Sequence, residues 1–135
     1  NIDGLHQKAG SRKVLELHGS VLRNHCTRCG QFYGVERIVN SRGVPRCSCG
    51  GIIKPDVVLY EESLDEDVMA EAIHYIRQAD MLIIGGTSLV VYPAAGLVQY
   101  YRGHKLAVIN KGGAGSGLGA TVTVDAPIGQ VLAQL

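Results

Sequence analysis

An α/β fold carrying a doubly wound parallel sheet is predicted by three features of residues 52–135: short apolar runs, segments of helical period between them, and Gly-rich breaks after them. Ile52-Ile53 and Val57-Val58-Leu59-Tyr60 read as extended, and Pro55 bars a helix between them. The stretch Ser63-Leu64-Asp65-Glu66-Asp67 supplies a cap and negative charge for the positive end of a helix dipole. A helix follows it, with Val68, Ala72, Ile73 and Ile76 at helical spacing. Met81-Leu82-Ile83-Ile84, bounded by Asp80 and Gly85-Gly86, has the unbroken apolar character of a parallel strand covered on both faces. Residues 93–101 read as a helix, while Lys105-Leu106-Ala107-Val108-Ile109 and Thr121-Val122-Thr123-Val124 read as strands. Pro127 opens a last short helix through Val131 and Leu132. Residues 26–51 have few apolar side chains and many Gly and Arg, as in a small module held together by something other than a core.

With 135 residues and 46% hydrophobic content, the chain has the size of one domain. Thirteen Lys and Arg against twelve Asp and Glu exclude attraction to nucleic acid or to an anionic membrane by net charge. No apolar run approaches the about 18 residues of a membrane span, and Asn1-Ile2-Asp3-Gly4 has no signal-peptide character. A cytoplasmic protein is expected. A dense polar motif begins at residue 1 without an initiator Met, so the sequence reads as a fragment.

The cysteines are paired as Cys26-x2-Cys29 and Cys47-x-Cys49. Such pairs clamp the edges of a tetrahedral zinc site from tight turns, and Gly30 and Gly50 follow where those turns need permissive backbone. A structural zinc is expected, against a disulfide or free thiols as the plainer readings. His25 adjoins Cys26, but four thiolates already fill the shell, which leaves the metal no open position for chemistry. Upstream lie an amide, a carboxylate and a histidine, in Asn1-Ile2-Asp3-Gly4-Leu5-His6 and Glu16-Leu17-His18-Gly19. That order points to an enzyme, although Leu-His-Gly alone favours an imidazole satisfied in the core.

These strings, with Pro55-Asp56-Val57-Val58-Leu59-Tyr60-Glu61-Glu62 and Gly86-Thr87-Ser88-Leu89-Val90-Val91-Tyr92-Pro93-Ala94-Ala95, resemble the sirtuin family from residue 1 nearly to the end. The resemblance implies a Rossmann-like sheet lacking its first strands, with a zinc module inserted. Residues 1–25 would be a catalytic-loop segment, 26–51 the zinc module and 52–135 the carboxyl-terminal half of the NAD-binding domain. It also implies an NAD-dependent protein-lysine deacylase (deacetylase) that consumes NAD as co-substrate and releases nicotinamide and O-acyl-ADP-ribose. The acyl oxygen would attack the ribose to give an alkylimidate, which a ribose hydroxyl then attacks.

By the same resemblance, Asn1 and Asp3 would line the nicotinamide and ribose pocket, and His18 would be the general base, a task suited to a side-chain type that titrates near neutral pH. Gly86, Thr87, Ser88, Asn110, Lys111 and Ala126 would hold the rest of NAD, from the carboxyl ends of strands where open α/β sheets bind ligands. An acyl-lysine peptide or protein would add as a strand between residues 58–62 and 87–91, with Val58, Tyr60, Glu62 and Val91 as contacts. For Val58, Tyr60 and Val91 the plainer reading is ordinary core. The family often has Gly where this chain has Glu61.

Gly115-Ser116-Gly117-Leu118-Gly119-Ala120 fits G-x-G-x-x-A but leads into a strand, where a dinucleotide fingerprint demands a helix, and residues 111–119 read as a loop. The family's pyrophosphate loop and its helix are not in these residues, so weak NAD binding and little activity are expected of the 135-residue chain alone. The alternatives are mono-ADP-ribosyl transfer from NAD and a non-catalytic zinc-stapled binding module. The second draws on Arg23, Arg28, Arg37, Arg42 and Arg46, but it lacks a recognition helix and interleaved aromatics beyond Phe32 and Tyr33. No nucleic-acid or membrane partner is expected.

Overall fold

The computed structural model describes residues 1–113 and 117–134, which form two compact units, 1–68 and 69–135. The first holds α1 (Leu5–Lys8), β1 (Gly19–Cys26), β2 (Phe32–Gly34), α2 (Val35–Val39) and β3 (Ile53–Val57). Its strands form an antiparallel sheet in the order β2-β1-β3. The sequence reading divides the chain at 25/26 and 51/52, but β1 runs unbroken across the first boundary and pairs with β3 across the second. The strand was hidden because its buried positions are Ser20, Asn24 and Cys26 while Leu22 is exposed, the reverse of the apolar-in pattern.

Pro55 does not interrupt β3. It lies opposite Asn24, where the register shifts and Val21, Leu22 and Arg23 of β1 have no partner on β3. A proline offers no N–H to the ladder, so a bulge falls naturally there. β3 stops at Val57, and Tyr60 and Glu61 form a turn in place of the expected extension, with the Glu62 N–H on the Leu59 carbonyl at 3.2 Å.

Helix α3 (Glu66–Gln78) starts where the acidic stretch placed it, with Asp65 Oδ1 accepting the N–H groups of Asp67 and Val68 at 2.9 and 3.0 Å. Ala72 is buried and Val68, Ile73 and Ile76 are half-buried, which fixes the apolar face.

In the second unit β4 (Leu82–Gly85), β5 (Leu106–Ile109) and β6 (Val122–Val124) form a parallel sheet in the order β4-β5-β6. Every residue of β5 is buried. β4, expected to be covered on both faces, lies at an edge and leaves Ile83 50% exposed. Ile84, Leu106 and Val108 form this unit's core, with Leu82, Leu89, Val98 and Tyr101 against it. Residues 94–100 wind as a 3-10 helix in place of an α-helix. Pro127 precedes α4 (Ile128–Leu132) as its cap. No helix among the described residues is long and apolar enough to cross a membrane.

Candidate functional site

The four cysteines converge on two glycine-closed turns. Gly30 N–H closes on Cys26 O at 3.0 Å with φ 71°, and Gly50 N–H on Cys47 O at 2.9 Å with φ 82°. The sulfurs lie within 4.8 Å of one another, with Cys26–Cys49 at 3.5 Å and Cys29 at 3.6 Å from both Cys47 and Cys49. A zinc tetrahedron with about 2.3 Å bonds has edges of about 3.8 Å, so the set fits the metal, while a disulfide requires about 2.05 Å. Gly51 admits no side chain, because an added Cβ would lie 2.6 Å from Cys26 Sγ.

The Tyr33 hydroxyl donates to Cys47 Sγ at 3.0 Å and is the main reason that thiol is drawn down to about 5, helped by the Cys49 N–H. Cys29 is pushed up to about 12: the Gln31 N–H favours its thiolate, but the neighbouring sulfurs of Cys49, Cys26 and Cys47 oppose it more strongly in sum. Four thiolates this close repel, and a divalent cation removes the conflict. Three arginines are committed to the backbone of the second turn and its approach: Arg28 Nη1 to Cys49 O at 2.7 Å, Arg46 Nη1 to Gly50 O at 3.1 Å, and Arg37 Nη2 to Arg46 O at 2.7 Å. A basic cluster that braces its own turn is a poor nucleic-acid surface. His25 does not turn to the sulfurs; its Nδ1 lies 2.7 Å from Asp56 Oδ1.

Asn1, Asp3 and His18 belong to the same unit as this cluster. Asp3 Oδ1 accepts the Leu5 N–H at 3.0 Å and Asp3 Oδ2 the Asn1 Nδ2 at 3.3 Å, so the carboxylate shapes the loop it sits in. The loop is tied to β1 by Val21 N–H on Ile2 O at 3.0 Å. His18 occupies the turn before β1, its carbonyl accepting the Val58 N–H at 3.1 Å. Its half-buried side chain makes no hydrogen bond among the described residues, unlike a satisfied core histidine.

A network unread in the sequence braces this loop. Gln7 Nε2 and Arg23 Nη1 donate to Glu16 at 2.8 and 2.7 Å, and Arg23 Nε lies 3.7 Å from Asp56. The Arg23 hydrogen bond, opposed by partial burial, holds the Glu16 carboxyl below its ordinary value. A carboxyl lowered by folding stabilises above its unfolded pKa, and that contribution disappears as pH falls through the folded value. Glu16→Gln is therefore expected to lose about 1 kcal/mol at pH 7, discounted because Arg23 is half-exposed, and to match the unsubstituted chain in acid. Urea unfolding at pH 7 and pH 3 checks this.

In the second unit, Gly86, Asn110 and Ala126 follow the carboxyl ends of β4, β5 and β6. The register Gly85↔Ile109↔Val124 sets the residues after these strands at one level. Gly86 N–H binds Ile109 O at 3.2 Å and Asn110 N–H binds Val124 O at 3.1 Å, continuing the ladder past the strands. Gly86 has φ 63°, Thr87 Oγ1 accepts the Leu89 N–H at 3.1 Å, and Ser88 and Lys111 are exposed. The edge thus offers small residues and the exposed Ser88 hydroxyl where parallel sheets take nucleotides. A separate cavity of about 470 Å³, lined by Tyr92, Gln99, Tyr101, His104 and Leu118 among others, includes none of these residues. In the Gly-rich stretch, Gly115 and Ser116 lie outside the described residues; Gly117 and Gly119 have φ 99° and 66°, and β6 follows, not a helix.

Tyr60 is 100% and Val91 58% exposed, so neither is core, while Val58 is half-buried. The Glu62 carboxylate accepts the Leu59 N–H at 2.9 Å and Lys54 Nζ at 3.0 Å, both of which hold it below the ordinary carboxylate range. Glu61, in the turn Glu62 closes, has φ 68°, the left-handed region that favours glycine. Glu61→Gly is expected to stabilise the chain by about 0.5–1 kcal/mol, the conformational penalty less the entropy glycine adds to the unfolded chain. A higher urea midpoint checks it; an unchanged or lower one refutes it.

One chain thus combines a four-cysteine cluster that fits zinc, a parallel sheet with small residues after its strands, and a half-buried histidine on a turn. The Sir2 family model matches residues 1–93. A Clostridium perfringens protein described as an NAD-dependent protein deacetylase is 58% identical over 137 residues, covering 100% of this chain and 56% of its own length. A Clostridium acetobutylicum protein of the same description is 52% identical over 134 residues, covering 98% and 55%. Among solved structures, Sir2Tm bound to a propionylated peptide has a TM-score of 0.91 at 39% identity, covering 99% of this chain and 59% of that one. A Sir2 complex with a p53 peptide and NAD+ has a TM-score of 0.88 at 39% identity, covering 99% and 58%. The chain belongs to the Sir2 family, and it spans little more than half the length of these curated relatives.

Proposed function

We propose that this chain is the part of an NAD-dependent protein-lysine deacetylase that carries the catalytic base, the zinc ribbon and the nucleoside edge of the sheet. The observation that carries the reading is the His18 side chain, without a hydrogen bond among the described residues, on a turn held by its own carbonyl and downstream of the Asn1–Asp3 loop in the sequence. Bound NAD would supply an electrophilic ribose carbon with nicotinamide as its leaving group. His18 would take a proton from a ribose hydroxyl. Asn1 and Asp3 would hold the nicotinamide and its ribose, while Gly86, Thr87, Ser88, Asn110, Lys111 and Ala126 would hold the remainder. Val58, Tyr60, Glu62 and Val91 would meet an acetyl-lysine peptide. Zinc would hold the ribbon together and touch no reacting atom. Thiolates that serve as zinc ligands suit a reducing compartment, and we read the protein as cytoplasmic.

The test is nicotinamide release from NAD with an acetyl-lysine peptide, by this chain and by a chain of its relatives' full length, each with its His18→Ala variant. Peptide-dependent release is expected from the longer chain, falling by about 10²–10⁴-fold without the imidazole. Release without the peptide but with another acceptor would replace deacetylation by ADP-ribosyl transfer, and retention of activity in His18→Ala would remove His18 from the role.

A further inference from the structure

The β1 bulge contains two buried polar side chains that the proposed chemistry leaves unused. Asn24 is 0% and Ser20 is 1% exposed, and they flank Val21, Leu22 and Arg23, which have no partner on β3. Each bonds back into the bulge: Ser20 Oγ accepts the Leu22 N–H at 3.2 Å, and Asn24 Nδ2 donates to Val21 O at 3.2 Å. The amide orientation follows from chemistry, since only the nitrogen end can approach a carbonyl oxygen. Val21 in turn gives its N–H to Ile2 O at 3.0 Å, so the single residue Val21 links the buried amide to the residue between Asn1 and Asp3. Leu22, at the crest, comes so close to Gly4 that an added Cβ there would lie 2.6 Å from Leu22 Cδ1.

We infer that Asn24 is a positioning residue: it locks the bulge so that Val21 holds the Asn1–Asp3 loop in its ligand-binding geometry. Stability alone does not account for this amide. Its Oδ1 is buried without a hydrogen-bond partner among the described residues, a state that costs folding free energy, and an apolar side chain would avoid the cost. Polar groups kept at the expense of stability belong where geometry matters for function. Ser20 supports the same turn but bonds to Leu22, away from the Ile2 contact.

The inference rests on the deacetylase reading for its functional half only, so the test has two arms. On this chain, Asn24→Ala and Asn24→Leu both remove the donor, one by leaving a hole and the other by filling it. Amide exchange at Val21 is expected to rise by about tenfold or more in both, as for a hydrogen bond freed by local opening. Protection at Cys26 and Ile53 and the zinc stoichiometry should remain. Asn24→Leu should not lower the melting temperature. On the full-length relative-sized chain, KM for NAD is expected to rise about fivefold or more with kcat within about twofold, whereas His18→Ala lowers kcat. Unchanged Val21 exchange, or an equal rise throughout the sheet, overturns the inference. Faster exchange at Val21 in a full-length chain inactive on NAD leaves the positioning role standing and removes the deacetylase reading, whereas unaltered KM in an active one overturns the functional half.

Discussion

Replacing Gly19 with alanine is expected to destabilise the unit of residues 1–68 by about 2–5 kcal/mol, enough to unfold a marginally stable domain. Two independent penalties combine. Gly19 has φ 75°, where a Cβ is strained whatever the available space. It also lies opposite Val57 across the β1–β3 ladder, and the added Cβ would overlap the Asp56 carbonyl oxygen. Backbone is the obstacle, so no rotamer change relieves it. The consequence reaches His18 directly, since the preceding turn closes with Gly19 N–H on Glu16 O at 2.9 Å and His18 O is held by Val58. Gly85→Ala is the control: its Cβ would press on the Ile128 side chain, at Cδ1 and at Cγ1 3.3 Å away, and would meet backbone only at the ordinary contact of 3.5 Å to Ile109 O, so it should cost less, about 1 kcal/mol. Urea unfolding of the two variants measures the difference, and equal midpoints would refute the account.

The Leu-His-Gly string was legible as a motif, yet nothing in it disclosed that the glycine is required by a neighbouring carbonyl. The same holds elsewhere. The cysteines announced themselves because metal spacing is a local property, and β5 did because all four of its residues are apolar and buried. β1 did not, since Asn24 and Ser20 point inward and Leu22 outward, and a bulge breaks the period of two. Met81-Leu82-Ile83-Ile84 reads like β5 in sequence but sits at a sheet edge, and only pairing distinguishes the two. The arginines illustrate the limit for function: composition suggests a basic surface, whereas three of them hold carbonyls of the Cys47–Gly50 turn and its approach. Glu61 is legible only as a departure from a glycine, and its φ of 68° supplies the reason that glycine suits the position. Tyr33 carried no sequence signal for its bond to Cys47, because an aromatic after a Cys pair is common core material.

Removing the metal, or replacing Cys47 with serine, should be the most damaging change to residues 1–68. Among the described residues, the buried apolar cluster of this unit consists of Cys26, Cys47 and Ile53, with Tyr33 and Ile38 packed on it. Two of those three buried members are ligands, and the other deeply buried side chains nearby, Ser20 and Asn24, are polar. So small an apolar core cannot offset the entropy of ordering two turns and three strands. A structural zinc contributes about 10–16 kcal/mol of folding free energy in small zinc-dependent peptides near neutral pH, far more than the hydrophobic cluster can. Chelation should therefore erase amide protection at Cys26, Ile53 and Val21 together, releasing one equivalent of metal. Protection at Val108 should persist, because Ile84, Leu106 and Val108 form a cluster without a metal ligand. Readdition of zinc should restore the first set, and Cys47→Ser should not recover it, since a serine hydroxyl is neither ionised nor soft enough to complete the tetrahedron. A chelated chain that kept its β1–β3 protection would mean that the strands, and not the metal, hold the ribbon.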